Sequence, residues 1–200
     1  MKCYYLFIYV LIILFLFHKY IYDGTSYFKS SVDNKYYKVR NGPLVVRQIK
    51  ANLLATLNNK LNILINSLPK SNKSVQKLLN SWNNGVSIKE IGNMESDAAY
   101  VINKKYMSFC LKSIGYNYKY SVEESNLLTY VGIHEIAHVM SSELGHGKEF
   151  IKNFEFLLNH AKKILYSDSL LKLEVPLFIP LNKIKTPDNY CGVSLKNSLS

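Results

Sequence analysis

The segment at residues 131–150 reads VGIHEIAHVMSSELGHGKEF, and it restricts the fold more than any other part of the chain. His134 and His138 stand four residues apart, so on a helix both imidazoles lie on one face, close enough to bind one metal ion. His146 follows His138 by eight residues, about 12 Å along a continuous helix, which is too far for one coordination shell. The helix must therefore end between them. Gly145 can adopt the left-handed conformation that turns the chain back.

The spacing of these residues indicates a catalytic zinc site rather than a structural one. Zinc in catalytic sites takes three protein ligands and keeps one position for water, whereas structural sites are usually closed by a fourth Cys or His. His134, His138 and His146 are the candidate ligands. Glu135 lies about 100° around the helix, where it can reach a water on the ion but is poorly placed as a ligand. The alternative is an amphipathic helix that carries histidines by chance.

Apolar periodicity predicts helices and a hairpin before this segment. Apolar residues recur in steps of three and four over residues 44–68, and Pro69 ends the run. A shorter helix is predicted at about Val75–Trp82. Two β-rich runs within Ala98–Ser113 flank the polar pair Lys104–Lys105, which predicts a β-hairpin.

The histidine helix and the helix after it carry their own boundary signals. Ser121 with Glu124 three residues later forms a capping box, so the histidine helix is expected to begin there. Gly145 is its expected end. The next helix is expected to carry Phe150 and Phe154 on its apolar face, and their burial would fix the position of the third histidine.

The N-terminal residues predict a membrane anchor. Fifteen residues from Cys3 to Phe17 carry no charge, and tolerance of His18 and Lys19 extends the apolar stretch to Tyr22. A cleaved signal peptide is the competing interpretation, and the bulky residues after the apolar run disfavour it. A soluble core helix is the remaining alternative.

These signals divide the chain into three parts. Residues 1–22 are the expected anchor, which attaches the chain through residues 3–22 to a host or virion membrane in a single pass. Residues 23–43 are expected to be a linker with a short extended piece at Tyr36–Arg40. Residues 44–200 are expected to form one catalytic domain.

Charge and cysteine content limit the partners. The formal net charge is +11, yet only two of the 25 basic residues are arginine, Arg40 and Arg47. Protein surfaces that bind nucleic-acid phosphates or recognise bases usually contain arginine, because its planar guanidinium makes bidentate contacts. A nucleic-acid partner is therefore disfavoured. Cys110 and Cys191 either form one disulfide or are two buried thiols, and the sequence leaves both open.

HEIAH followed by GHGKEF resembles the active segment of the WLM and SprT-like zinc metallopeptidases, in which His-x-x-x-Phe opens the next helix. YKVRNG (37–42), YVINKKYMSFCLKS (100–113) and NYCGVSLKNS (189–198) are similar to segments of predicted membrane-anchored WLM-like peptidases found mainly in large DNA viruses. The resemblance implies an α+β fold: a small zincin-like domain with an HExxH active-site helix, a small β-sheet or hairpin, and an N-terminal transmembrane helix. It also implies Zn²⁺ on His134, His138 and His146, with Glu135 as the general base.

The expected function is that of a membrane-anchored zinc metalloendopeptidase acting on a protein or peptide substrate, which could lie along the hairpin as an added strand. One alternative is a DNA-associated protease of the crosslink-repair kind, and another is a non-catalytic membrane or virion structural protein that retains the fold. The intact Glu135 weighs against the second alternative. Tyr116, Tyr118 and Tyr190 are candidates to stabilise the oxyanion.

Overall fold

The computed structural model describes residues 2–93, 98–111, 121–168, 173–181, 189–191 and 193–194. These residues form an α+β fold of helices and small sheets. The helices are α1 Lys2–Asp23, α2 Leu44–Ser67, α3 Lys73–Asn83, α4 Val122–Met140 and α5 Lys148–Ala161. The strands are β1 Thr25–Lys29, β2 Tyr36–Arg40, β3 Ser87–Glu90, β4 Ala99–Ile102, β5 Tyr106–Phe109, β6 Leu165–Asp168, β7 Leu173–Pro176, β8 Asn189–Tyr190 and β9 Val193–Ser194.

Helices α2 and α4 pack together at the centre of the core. Helix α2 buries a row of leucines that includes Leu57 and Leu61, both at most 1% exposed. Gly132 of α4 faces this row, and a Cβ at that position would stand 2.6 Å from the Leu57 Cδ1 atom. The glycine therefore allows α4 to approach α2 closely. The predicted helices over 44–68 and 75–82 are confirmed.

A three-stranded sheet lies beside α4, with β5 in the middle. Strand β5 pairs in parallel with β3 and antiparallel with β4, so the predicted hairpin is confirmed. Asn103 and Lys104 turn the chain between β4 and β5 with φ of 51° and 55°. The Lys104 Nζ donates to the Ser141 carbonyl oxygen at 2.7 Å, directly after α4. The hairpin turn is thus anchored at the end of the histidine helix.

The segment expected to be a linker belongs to the folded core. Its extended piece Tyr36–Arg40 is present as β2, which pairs antiparallel with β1. The side chains of Tyr37 and Val39 point inward and are 5% and 0% exposed. The reason is strand alternation: every second residue of β2 meets the core, while Tyr36 points outward.

The predicted transmembrane helix is wrong. Residues 2–23 do form a helix, α1, but among the described residues no helix is both long enough and apolar enough to cross a membrane. The uncharged run Cys3–Phe17 would extend only about 22 Å as a helix, whereas the hydrocarbon core of a bilayer is about 30 Å thick. The expected single-pass anchor in a host or virion membrane through residues 3–22 is therefore also wrong.

Cys110 and Cys191 form a disulfide, so the alternative of two buried thiols is excluded. Their Cα atoms are 6.2 Å apart although the residues are separated by 81 positions. Cys110 follows β5, and Cys191 follows β8. The bridge therefore ties the C-terminal hairpin to the central strand of the sheet beside α4.

Candidate metal centre

Helix α4 begins where its capping signal predicts. The Ser121 Oγ accepts a hydrogen bond from the Glu124 backbone N–H at 3.0 Å. Acidic Glu123 and Glu124 lie in the first turn, where negative charge stabilises a helix N-terminus. About three turns later, Ile133 and Ile136 are buried in the core.

Helix α4 ends before the third histidine, and the turn that follows brings three imidazoles together. The helix ends at Met140, five residues before the expected stop, because Ser141 leaves helical geometry with ψ of 148°. Gly145 has φ of +76°, as the turn requires. The Nε2 atoms of His146 and His134 are 3.0 Å apart. One ligand atom from each histidine, including His138, lies within 4.8 Å of the others, so the group can hold a metal ion.

Phe150 packs against all three imidazoles. Its ring centroid lies 4.8 Å from that of His134, 4.3 Å from His138 and 4.7 Å from His146. The ring is 3% exposed and belongs to the first turn of α5, four residues after the third histidine. Phe154, one turn later, also contacts His134 at 5.3 Å. The expected burial of these two phenylalanines is confirmed, and Phe150 contacts the third histidine.

The electrostatics of the site favour neutral imidazoles. Burial, followed by the charges of His138 and His146, lowers the pKa of His134 to about 3. Burial and the charge of His146 lower the pKa of His138 to about 4. A histidine binds a metal ion through an unprotonated nitrogen, so neutral rings at neutral pH suit metal binding.

Glu135 lies on the buried side of α4 and is only 4% exposed. Burial raises the pKa of its carboxyl group to about 8. It does not belong to the group of converging ligand atoms, in agreement with its position around the helix. Its part as general base stays a prediction.

Of the three tyrosines suggested for the oxyanion, the structure describes one. Tyr190 is 2% exposed, and its hydroxyl donates to the Cys110 carbonyl oxygen at 2.7 Å. Burial, with the negative charges of Glu135 and Glu90, raises the pKa of Tyr190. The tyrosine therefore packs the C-terminal hairpin against the sheet. Tyr116 and Tyr118 lie outside the described residues.

Sequence reasoning missed the residues that stabilise the C-terminal end of α4. The Ser141 Oγ donates to the Ala137 carbonyl oxygen at 2.8 Å, and the Asn153 Nδ2 donates to the Ser141 Oγ at 3.0 Å. Asn153 lies on the apolar face of α5 and is 7% exposed. A polar residue three positions after Phe150 on that face is the signal that could have revealed this contact.

The chain is similar to viral proteins. It is 33% identical over 121 residues to "Uncharacterized protein 136R" of Invertebrate iridescent virus 6. The matched residues cover 58% of this chain and 66% of that protein. It is 25% identical over 197 residues to "Uncharacterized protein R325" of Acanthamoeba polyphaga mimivirus, covering 95% and 92% of the two chains. A third relative, "Uncharacterized protein 042R" of Invertebrate iridescent virus 3, is 32% identical over 68 residues, or 34% of this chain and 41% of that protein.

The chain thus spans just under two thirds of the iridescent virus 6 protein and most of the mimivirus protein. No protein-family model and no solved structure matches the chain. The expected viral relatives are confirmed, while the likeness to zincins stays a prediction.

Proposed function

We propose that this chain is a zinc-dependent metallopeptidase that hydrolyses peptide bonds. The observation that supports it most is the convergence of His134, His138 and His146, with Glu135 directly after the first of them. The donor set fits zinc: three imidazoles are a common zinc ligand set, and the described group includes no fourth side chain. When bound, zinc supplies a water of lowered pKa and polarises the scissile carbonyl.

Glu135 performs the proton transfers in this proposal. In its ionised form, the carboxylate accepts the proton of the attacking water and then donates that proton to the nitrogen of the leaving amine. Glu135 follows the ligand His134 directly on α4, so we expect its carboxylate to reach a water on the ion. Phe150 and Phe154 exclude water from one side of the imidazoles and hold their rings in place.

The substrate segment binds in this proposal as an extended strand along β4. Among the described strands, β4 stands at the edge of the sheet order β3-β5-β4, so one row of its backbone groups faces away from β5. The strand contacts α4, and the turn after it is bonded to Ser141 through Lys104. A peptide added to this edge gains main-chain hydrogen bonds beside the histidines.

Metal analysis of the full chain tests the metal site. We expect about one zinc per chain and loss of most of it in His138→Ala. His160→Ala is the matched control, because His160 contacts the Ser67 carbonyl oxygen instead of the cluster. Equal zinc in His138→Ala and His160→Ala would refute the site.

Incubation of the zinc-loaded chain with a proteome-derived peptide library tests the reaction. Glu135→Gln should keep zinc while hydrolysis falls by about 100-fold or more. A parent chain that binds zinc but cleaves nothing would contradict the peptidase and leave the metal site standing. Retention on immobilised DNA at about 0.2 M salt would favour a DNA-associated protease instead.

A further inference from the structure

The turn that carries the third histidine is exposed. All five residues from Ser142 to His146 are exposed, and Leu144 at its tip is 99% exposed. Apart from the contact of the His146 ring with Phe150, apolar packing therefore does little to hold these residues in place. A ligand on such a turn also needs polar contacts to keep its ring near the other two.

Glu149 makes such contacts from the beginning of α5. Its Oε2 atom accepts hydrogen bonds from the backbone N–H of Ser142 at 2.9 Å and of Glu143 at 3.4 Å. The side chain thus reaches back across the turn and joins its first residues to the helix that follows it. His146 lies inside the loop that this contact closes.

Further polar contacts hold the end of α4 and the first residue of the turn. Lys104 and Asn153 bond to Ser141, and the Lys77 Nζ donates to the Ser142 Oγ. These contacts fix the point at which α4 ends. Asn153 already connects that point to α5, and the Glu149 carboxylate adds bonds from α5 to the backbone of the turn itself, at Ser142 and Glu143.

We propose that Glu149 is a positioning residue for the metal centre, holding the turn closed so that His146 stays within reach of the ion bound by His134 and His138. The inference rests on the proposed metal site and names the side chain that keeps its third ligand in place. Glu149 is not itself a ligand, since its carboxylate is bonded to two backbone amides and lies outside the converging group.

Zinc affinity of the full chain, measured by competition with a chromogenic chelator, tests this role. Glu149→Ala should weaken zinc binding about tenfold or more, the usual effect of losing a residue that orients a ligand. Glu149→Gln keeps an acceptor oxygen at the same reach and should restore most of the affinity. Glu155→Ala, an exposed glutamate on the same helix, controls for the change of charge and should bind like the parent.

Amide hydrogen exchange adds a second measurement that does not depend on the ion. In the EDTA-treated chain, the amides of Ser142 and Glu143 should exchange faster in Glu149→Ala than in Glu155→Ala, while the thermal midpoints stay similar. Equal zinc affinity in these two variants, or unchanged exchange, would overturn the positioning role and leave the metal site intact. If Glu149→Gln loses zinc as completely as His146→Ala does, the carboxylate is a ligand and the inference is wrong. A parent chain without zinc binding would overturn the proposed function as well.

Discussion

The burial of Glu135 makes a strong prediction about folding stability. Its carboxyl group is 4% exposed, and burial raises its pKa from 4.5 to about 8. At a pH between these two values, the Glu135 carboxyl group is protonated in the folded chain and ionised in the unfolded chain. The free energy of unfolding therefore decreases as pH rises through this window. The residue proposed for catalysis should destabilise the EDTA-treated protein at alkaline pH.

The size of the effect follows from the two pKa values. Integration between about pH 5.5 and about pH 8.5 gives a loss of about 3 kcal/mol in the free energy of unfolding. Glu135→Gln keeps the size of the side chain and removes the ionisation. The free energy of unfolding of the variant, relative to that of the parent, should therefore increase by about 3 kcal/mol across that pH interval. The lowered pKa values of His134 and His138 make stability rise with pH below about 6.5, but both proteins share this contribution and it cancels.

Urea unfolding of the EDTA-treated proteins at the two pH values provides the measurement. The difference between the variants should appear in the midpoint, with similar slopes. Glu155→Gln serves as the control, because that glutamate is exposed and its substitution should shift neither curve. If parent and Glu135→Gln change in parallel with pH, Glu135 is solvated in the folded chain and the reasoning from burial fails.

Three further predictions concern the turn, the disulfide and a buried lysine. Gly145→Val should weaken zinc binding in chelator competition although it removes no ligand, because φ of +76° is unfavourable for valine; unchanged affinity would contradict this. Cys191→Ser should lower the free energy of unfolding in urea by about 4 kcal/mol, from the chain entropy of an 81-residue separation; a loss under about 1 kcal/mol would argue against that. Burial lowers the pKa of Lys60 from 10.5 to about 8. The buried charge therefore lowers the free energy of unfolding by its full amount below pH 8, and this loss decreases as pH rises towards 10.5. Lys60→Met should therefore stabilise the chain by about 3 kcal/mol at neutral pH in urea unfolding, and less at about pH 10; a constant difference would refute the assignment.

The sequence predicts the parts of the site that depend on local geometry. The four-residue spacing of His134 and His138 sets their common face, and the distance to His146 requires a break in the helix. Ser121 marks the helix start, since its hydroxyl needs only a neighbour three residues away. The left-handed turn at Gly145 follows from the same reasoning.

Other features depend on contacts between distant segments, and the sequence carries little sign of them. Strand β2 is five residues long and borders polar turns, so nothing local shows that Val39 reaches the core. The pairing of Cys110 with Cys191 depends on where the chain end returns. The predicted membrane span gave too much weight to hydrophobicity and too little to the length of the uncharged run.

The disulfide also affects how a cut in the chain would be detected. Cys110 and Cys191 close a covalent ring that contains α4, α5 and all four residues of the proposed centre. If the backbone is cleaved once between residues 111 and 190, by another protease or by a second copy of this chain, the two pieces remain joined. A denaturing gel without reductant would then show a single band of full mass, and only a reduced sample would reveal the fragments. Self-cleavage inside this ring is therefore visible only after reduction.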